Sequence, residues 1–299
     1  MSLIAYRGCV NAWECDQWGH QNVRFYVAKA SQSQAVLCCE LGLTPSWLRE
    51  HGLAPMATRH RMLFRRELRA GDPVYIRSGV RGADGRQVRY WSVLTHAETE
   101  AESAVFDTEL ALVDRATGTP IEIPAHVVTR AAELASSVEY PEPPPITGPR
   151  PATSAPAAGI LTHRGMIGQA ECDESGWTAP EDLVIHFTQA MTHLMASLGL
   201  PRATLLARNI GYAAVDHVVA YHAPLKPGNL VDMRSGVLEM RSKVLRVFHH
   251  VIDTGRGEFA TTLEVALVFF DLTARKSIPM PEEVVQRAPA LMPAAATPA

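Results

Sequence analysis

The stretch that decides the fold occurs twice: YRGCVNAWECDQWG at residues 6–19 and HRGMIGQAECDESG at residues 163–176. Arg-Gly, Glu-Cys-Asp and the final glycine recur in the same order at an offset of 157 residues. The same offset aligns further matches without a gap: Leu41–Leu43 with Leu198–Leu200, Leu68 with Leu225, Gly71 with Gly228, and Arg77–Val80 with Arg234–Val237. Matches that keep their order along most of the chain indicate a tandem duplication.

Length and composition fit two copies of a soluble globular module. The chain has 299 residues, of which 47% are hydrophobic and 20% charged. Its net charge is −3 and its pI is about 6.5, so no global basic field attracts nucleic acid or anionic lipid. The first residues, MSLIAYRGCV, lack the pattern of a secretory signal, and no apolar run approaches the roughly 18 residues that span a bilayer. We therefore expect a cytoplasmic protein without nucleic-acid or membrane partners.

The cysteines predict neither a disulfide framework nor a zinc site. They are five in number, two are adjacent, and none has the CxxC spacing of a metal site. The positions are Cys9, Cys15, Cys38, Cys39 and Cys172. Reduced thiols are the expected state.

A long amphipathic helix is predicted in each copy. Apolar residues recur at helical spacing after Asn22 and again in the second copy. These positions are Val23, Val27, Ala30, Leu37 and Leu41, then Val184, Phe187, Met191, Leu194 and Leu198. Thr178 and Pro180 are expected to cap and begin the second helix. Both helices end at Leu-Gly-Leu, where the glycine can adopt the left-handed conformation.

Strands follow each helix, because the apolar period changes to two. One face of the first such strand is predicted to hold Val74, Ile76, Ser78 and Val80, and its counterpart to hold Val231, Met233, Ser235 and Val237. Further strands are predicted within 88–94 and 244–252. The predicted class is therefore α+β, with an antiparallel sheet wrapped around a long central helix in each copy. Pairing of two copies would cover the exposed sheet edge of each.

Four segments are predicted along the chain. They are a first module at 1–136, a Pro/Ala-rich linker at 137–158, a second module at 159–285 and a flexible tail at 286–299. Stacked prolines fix φ and lack backbone donors, so the linker is expected to be extended and semi-rigid.

The segment WECDQWGHQNVRFY at residues 13–26 lies between the first strand and the long helix. It resembles the 4-hydroxybenzoyl-CoA thioesterase-like hotdog family, whose members carry Asp-x-Asp, a Gly-His-x-Asn turn and an aromatic-rich helix start. The resemblance implies two tandem hotdog modules that hydrolyse an acyl-CoA thioester. It matches Asp16 to the family's catalytic aspartate, with Glu14 at the position of the first acid. It also implies that His20, Asn22 and Tyr26 belong to the active-site turn and helix start.

The chemistry of hydrolysis suits these residues. A carboxylate such as Asp16 can attack a thioester carbonyl or deprotonate a water that does so. The first-turn N–H groups near Val23 have no intrahelical acceptor and can stabilise an oxyanion, with Tyr26 as a further substrate contact. Structural alternatives stay open: Asp16 can simply hold a turn, Asn22 can simply cap the helix, and His20 can simply buttress the turn.

The two copies differ at this motif. The second retains Asp173 at the position of the aspartate but has Trp177 and Ala179 in place of His20 and Asn22. Asp173 is therefore a second candidate carboxylate, while the first copy is expected to do the chemistry.

A local basic cluster also distinguishes the first copy. Residues 59–69 hold five arginines, whereas the matching residues 216–226 hold one lysine and no arginine. Arginine forks suit the phosphates of CoA, so Arg65, Arg66 and Arg69 are predicted to bind it. The alternative is a solvated strand face that discourages edge pairing.

Two other functions stay open. A hotdog enoyl-CoA hydratase also uses an Asp and a His, but its Asp-x-Asn-Pro-x-His pattern differs from Asp16–His20. A non-catalytic acyl-CoA-binding module would need the acid only for structure. Neither a metal cluster nor a dinucleotide fingerprint appears in the sequence, so we expect no metal and no cofactor beyond the CoA of the acyl-CoA substrate. A homo-oligomer of two-module units is left open.

Overall fold

The computed structural model describes most of the chain as two compact units. The described residues are 3–135, 140–145 and 158–293. The units are Met1–Pro144 and Pro145–Ala299. Most of the predicted linker at 137–158 lies outside the described residues, as do residues 294–299 of the predicted tail.

The first unit is an antiparallel sheet packed on a long helix. Its elements are β1 (Leu3–Cys9), α1 (Val23–Glu40), α2 (Pro45–Glu50), β2 (Leu53–Phe64), β3 (Pro73–Ala83), β4 (Val88–His96), β5 (Glu102–Asp114), β6 (Pro120–Ile121) and α3 (Ala125–Ala135). The strands follow the order β1-β3-β4-β5-β2, and β6 pairs with β5. Helix α1 packs against β1, β3 and β4.

The second unit repeats this topology. Its elements are β7 (Ile160–Met166), α4 (Pro180–Ser197), α5 (Arg202–Ala207), β8 (Ile210–Tyr221), β9 (Leu230–Met240), β10 (Val244–Asp253), β11 (Glu258–Asp271) and α6 (Glu282–Arg287). The strand order β7-β9-β10-β11-β8 is that of the first unit, again with antiparallel neighbours. Each unit is a hotdog module, as the sequence predicted.

The backbone itself repeats at the offset seen in the sequence. Gly42 and Gly199, which follow the two long helices, have φ values of +87° and +86°. Gly71 and Gly228 have φ values of +95° and +89°. Side chains with a Cβ rarely adopt such values, so the same positions require glycine in both copies. The prediction that glycines end both helices is confirmed.

The central helices rest on the strand faces that the sequence predicted. In the first unit the Ser33 hydroxyl on α1 lies 2.8 Å from that of Ser78 on β3, which lies 2.7 Å from that of Ser92 on β4. In the second unit Ser235 lies 2.6 Å from Nδ1 of His249. These buried polar atoms satisfy one another, which allows polar groups to sit between helix and sheet.

Two local expectations are corrected. Ala179, not Thr178, is the N-cap of α4, and Pro180 is its first residue. The Thr178 hydroxyl instead donates to the carbonyl of Leu225 at 3.2 Å, which ties the turn to the segment before β9. At the C-terminus, residues 286–291 are helical rather than a flexible tail, because Ala288 is fully buried against the second unit.

Buried histidines stand at equivalent positions in the two sheets. His60 and His217 lie on β2 and β8, and burial lowers the pKa of each to about 4. The Nδ1 atom of His60 lies 2.9 Å from the hydroxyl of Thr108. Burial, followed by the nearby His217, also lowers the pKa of His249 to about 3. These imidazoles are therefore neutral in the folded protein at neutral pH.

Acid should consequently weaken the fold. An unfolded histidine takes up a proton near pH 6.5, whereas buried His60 resists until about pH 4, so its contribution is present above pH 6.5 and lost as pH falls toward 4. We expect wild type to lose on the order of 2 kcal/mol more free energy of unfolding between pH 6.5 and 4.5 than His60→Gln, which keeps a partner for Thr108. Urea denaturation across this range measures the difference. Equal losses in the two proteins would contradict the assignment.

Candidate active site

The motif of the first module forms a closed turn between β1 and α1. A short 3₁₀ helix, Ala12–Glu14, leads into it. The Asp16 N–H donates to the carbonyl of His20 at 2.9 Å, and the Gly19 N–H donates to the carbonyl of Asp16 at 3.0 Å. The Asp16 Oδ1 atom accepts the Trp18 N–H at 2.8 Å. Asp16 therefore does hold the turn through its Oδ1 atom, while its Oδ2 atom faces His20.

His20 lies between two carboxylates. Its Nδ1 atom is 3.6 Å from Oδ2 of Asp16, and its Nε2 atom is 3.8 Å from Oε1 of Glu67. The Nε2 atom is buried and has no hydrogen-bond partner among residues 3–135, 140–145 and 158–293. The Asp16 side chain is 21% exposed and that of Glu67 40%, so solvent reaches both acids.

Glu67 was missed by the sequence analysis. It stands in the segment whose arginines dominated the interpretation, and 47 residues separate it from His20. The backbone brings the two together, because the Gln21 N–H donates to the carbonyl of Leu68 at 2.7 Å. Comparison of the two copies could have found it: Pro224 stands at the equivalent position of the second copy.

The first turn of α1, which follows His20 in the chain, offers a free donor. Asn22 is the N-cap, and its Oδ1 atom accepts the Arg24 N–H at 2.9 Å, so it has the structural role left open above. The Phe25 N–H donates to the Asn22 carbonyl. Within the part of the chain that the structure describes, the Val23 N–H has no acceptor. It lies at the positive end of the helix dipole, where an oxyanion is stabilised.

Two residues of the motif are part of the packed interior. Tyr26 is 4% exposed and packs edge-on against Phe64, with ring centroids 5.4 Å apart. Burial raises the pKa of its phenol well above the usual range. Glu14, at the position of the first acid, is 8% exposed and forms an ion pair with Lys29 at 2.6 Å. The structure therefore places Tyr26, which the sequence predicted as a substrate contact, in the packed interior.

The arginine cluster is largely paired. Its partners are Glu109 for Arg59 at 3.3 Å, the Pro144 carbonyl for Arg61, and Glu102 for Arg65. Among the described residues, the guanidinium groups of Arg66 and Arg69 have no partner. These two exposed side chains flank Glu67 in the chain. Of the three predicted CoA ligands, they are the ones with free donors.

The equivalent turn of the second module has the acid without the other groups. The Asp173 Oδ1 atom accepts the N–H groups of Ser175 at 2.7 Å and Trp177 at 3.3 Å. The indole of Trp177, which replaces His20, is buried. Pro180 stands where Val23 does, so the N–H that is free in α1 does not exist in α4. This turn cannot supply both an imidazole and an oxyanion donor.

In 3–135, 140–145 and 158–293, His, Cys, Asp and Glu side chains form no group of three or more suited to hold a metal ion. Within those same ranges, every helix is too short or too polar to cross a membrane.

Comparison with known proteins assigns the family. The model of the thioesterase-like superfamily matches residues 10–131 and 167–288, one match in each module. The chain belongs to this superfamily. Membership supports thioester hydrolysis as the general chemistry of this thioesterase-like protein. A search of curated proteins found no match.

Solved structures of three enzymes share the two-module fold. A proposed oleoyl thioesterase from Lactobacillus plantarum is 15% identical with a TM-score of 0.69, covering 88% of this chain and 94% of that one. An acyl-ACP thioesterase from Bacteroides thetaiotaomicron is 11% identical with a TM-score of 0.65, covering 89% and 96%. The 12:0-ACP thioesterase from Umbellularia californica is 10% identical with a TM-score of 0.65, covering 89% and 93%. At these identities the likeness establishes the fold.

Proposed function

We propose that this thioesterase-like protein hydrolyses an acyl-CoA thioester at the turn of its first module. The observation that carries the proposal is that Asp16, His20 and Glu67 come together at the turn that leads into α1, whose first residue Val23 has a free N–H. The second module repeats the backbone and the aspartate but lacks the other three groups. The membership of the thioesterase-like superfamily supplies the reaction class.

Asp16 either attacks the thioester carbonyl carbon, giving an anhydride that water then hydrolyses, or deprotonates a water that attacks this carbon. In both routes the C–S bond breaks, and CoA leaves as a thiolate that takes up a proton. The Trp18 N–H holds Oδ1, so Oδ2 is presented on the side where His20 lies. His20 orients the water or the leaving group, and Glu67 lies 3.8 Å from its other nitrogen. The present separations of 3.6 and 3.8 Å are of the kind that shorten when substrate binds.

The Val23 N–H stabilises the oxyanion that develops on the carbonyl oxygen. A backbone donor at a helix N-terminus is fixed before the reaction begins, so no reorganisation is needed at the transition state. Asn22 contributes by capping the helix, which keeps the first-turn N–H groups directed out of the helix end.

CoA is the proposed carrier of the acyl group. Arg66 and Arg69 have free guanidinium groups next to Glu67 in the chain, and the adenosine phosphates of CoA are suitable partners. Two of the similar structures are acyl-ACP thioesterases, and the protein carrier lacks those adenosine phosphates. The arginines therefore favour CoA over a carrier protein.

Replacing each of the two aspartates by asparagine should show which module carries out the reaction. Asp16→Asn keeps the size of the side chain and the acceptor for Trp18, but it cannot attack or act as a strong base. We expect it to lower kcat by at least about 10³-fold and Asp173→Asn to lower it by less than about tenfold. Thiol release from a panel of acyl-CoAs measures both. A mild Asp16→Asn with a crippled Asp173→Asn would reverse the assignment, and release by neither variant nor wild type would reject the proposed function.

Val23→Pro should remove the oxyanion donor without disturbing the helix. Proline is compatible with the first helical position. Asn22 has φ and ψ values of −69° and 142°, and Ala179, which precedes Pro180 in the second module, has nearly the same values of −67° and 141°. The backbone before position 23 is therefore already suited to a following proline. We expect kcat to fall about 10²–10³-fold in Val23→Pro. Val23→Ala, which keeps the N–H, is the matched control and should stay close to wild type. Equal effects in the two variants would assign the loss to the side chain.

Paired substitution of the free arginines tests the carrier. In Arg66→Gln/Arg69→Gln we expect KM for acyl-CoA to rise at least about tenfold, with kcat nearly unchanged, because two phosphate contacts are lost. KM for the acyl-pantetheine of the same acyl group should not change, since it lacks the adenosine phosphates. Arg86→Gln, an exposed arginine in the β3–β4 loop, is the control. A rise for both substrates, or faster hydrolysis of acyl-ACP than of acyl-CoA by wild type, would contradict CoA as the carrier.

A further inference from the structure

A buried lysine on α1 forms an ion pair with Glu14, which leads into the turn of the first module. Lys29 lies on α1 and is 2% exposed. Its Nζ atom donates to Oε2 of Glu14 at 2.6 Å. Removing a lysine from water is costly unless an acid compensates its charge. Both partners are therefore held in one arrangement.

Glu14 connects three parts of the site. Its Oε2 atom also accepts the Asn11 N–H at 3.0 Å, where the chain leaves β1. Its carbonyl accepts the Asn22 N–H at 2.8 Å, where α1 begins. The side chain reaches Lys29 in the body of the helix. One residue thus joins both ends of the turn to the helix that carries the oxyanion donor.

The second module has the same connection with a different cation. Glu171 accepts the Gly168 N–H at 2.5 Å, and its carbonyl accepts the Ala179 N–H at 2.9 Å. His186, at the position equivalent to Lys29, places Nε2 2.8 Å from Oε1 of Glu171. Its Nδ1 atom lies 3.0 Å from Nε2 of His163. An imidazole at this helix position therefore reaches the acid in this fold.

We infer that Lys29 is a positioning residue, which acts through Glu14 to fix the turn that holds Asp16 and His20 against the N-terminus of α1. The inference rests on the function proposed above. Lys29 is buried beneath the turn and contacts Glu14, so it acts on the reacting groups only through the turn. A displacement of about 1 Å in such a group can cost 10²-fold in rate. Loss of the pair should thus lower kcat while KM stays nearly constant.

The test separates positioning from stability with two variants. Lys29→Met leaves Glu14 buried and uncompensated, so both stability and kcat should fall, kcat by at least about tenfold. Glu14→Gln/Lys29→Met removes both charges and keeps an acceptor for the Asn11 N–H. Its stability should return toward wild type, because neutral replacement of a buried pair is well tolerated. We expect kcat to stay at least about fivefold low, since the strong tie between turn and helix is still absent.

A third variant places histidine, the residue that the second module has at the equivalent position, at position 29. In Lys29→His the imidazole pairs with Glu14 when protonated, and this pairing is lost as pH rises. The ratio of its kcat to that of wild type should therefore fall at least about fivefold from pH 6 to 9, whereas the ratio for Lys29→Met should stay flat. Tyr6 is the titratable group that faces Glu14 from β1, and burial, then Glu14 itself, raise the pKa of its phenol above the usual range. It stays protonated across this window and does not produce the change.

Hydrogen exchange makes the inference independent of the choice of substrate. In Lys29→Met, amides of residues 11–22 should exchange at least about tenfold faster than in wild type, while those of β9 should not change. Unchanged exchange at 11–22, or recovery of kcat together with stability in the double variant, would overturn the inference. If wild type hydrolyses no thioester, the proposed function fails, and exchange at 11–22 still decides whether Lys29 fixes the turn.

Discussion

Two backbone hydrogen bonds fix the turn on which the rest of the site depends. The Gln21 N–H donates to the carbonyl of Leu68, and the Asn22 N–H donates to the carbonyl of Glu14, at 2.7 and 2.8 Å. The first bond brings Glu67 up to the turn, and the second joins the turn entry to the helix cap. Equivalent bonds of 2.9 Å occur in the second module. Because backbone atoms make them, the side chains around the turn are free to differ between the copies.

That freedom explains how one backbone gives two chemically different turns. In the second module Trp177 fills the position of His20 and Pro224 that of Glu67, while Pro180 removes a donor without changing the helix. Proline suits the first helical position structurally, so the loss of the N–H costs the fold nothing. In the proposed mechanism the same change removes the backbone donor that stabilises the oxyanion. The retained Asp173 holds its turn by accepting backbone N–H groups, which is reason enough for an aspartate there.

Features set by residues close together in the chain could be predicted from the sequence, whereas contacts between distant residues could not. The repeat, the long helices, the strand faces and the helix-ending glycines were predicted, because periodicity and local φ preferences report them directly. Partners across the sheet were not. Glu67 follows β2 and comes close to His20 only in the folded chain, and Arg65 forms an ion pair with Glu102 on β5. Lys29 is not among the apolar residues that predicted the buried face of α1, so periodicity indicated neither its burial nor the acid that makes this burial possible.

The contrast between Lys29 and His186 agrees with the proposed division of chemistry between the modules. Burial, followed by His186 and His193, lowers the pKa of His163. The ring that lies against Glu171 therefore has a second imidazole 3.0 Å away, whereas Lys29 pairs with Glu14 without a histidine. In the proposed mechanism the first turn keeps a carboxylate, an imidazole and a backbone donor aligned, and a lysine–carboxylate pair suits that task. The difference between the two buried pairs therefore agrees with chemistry in the first module.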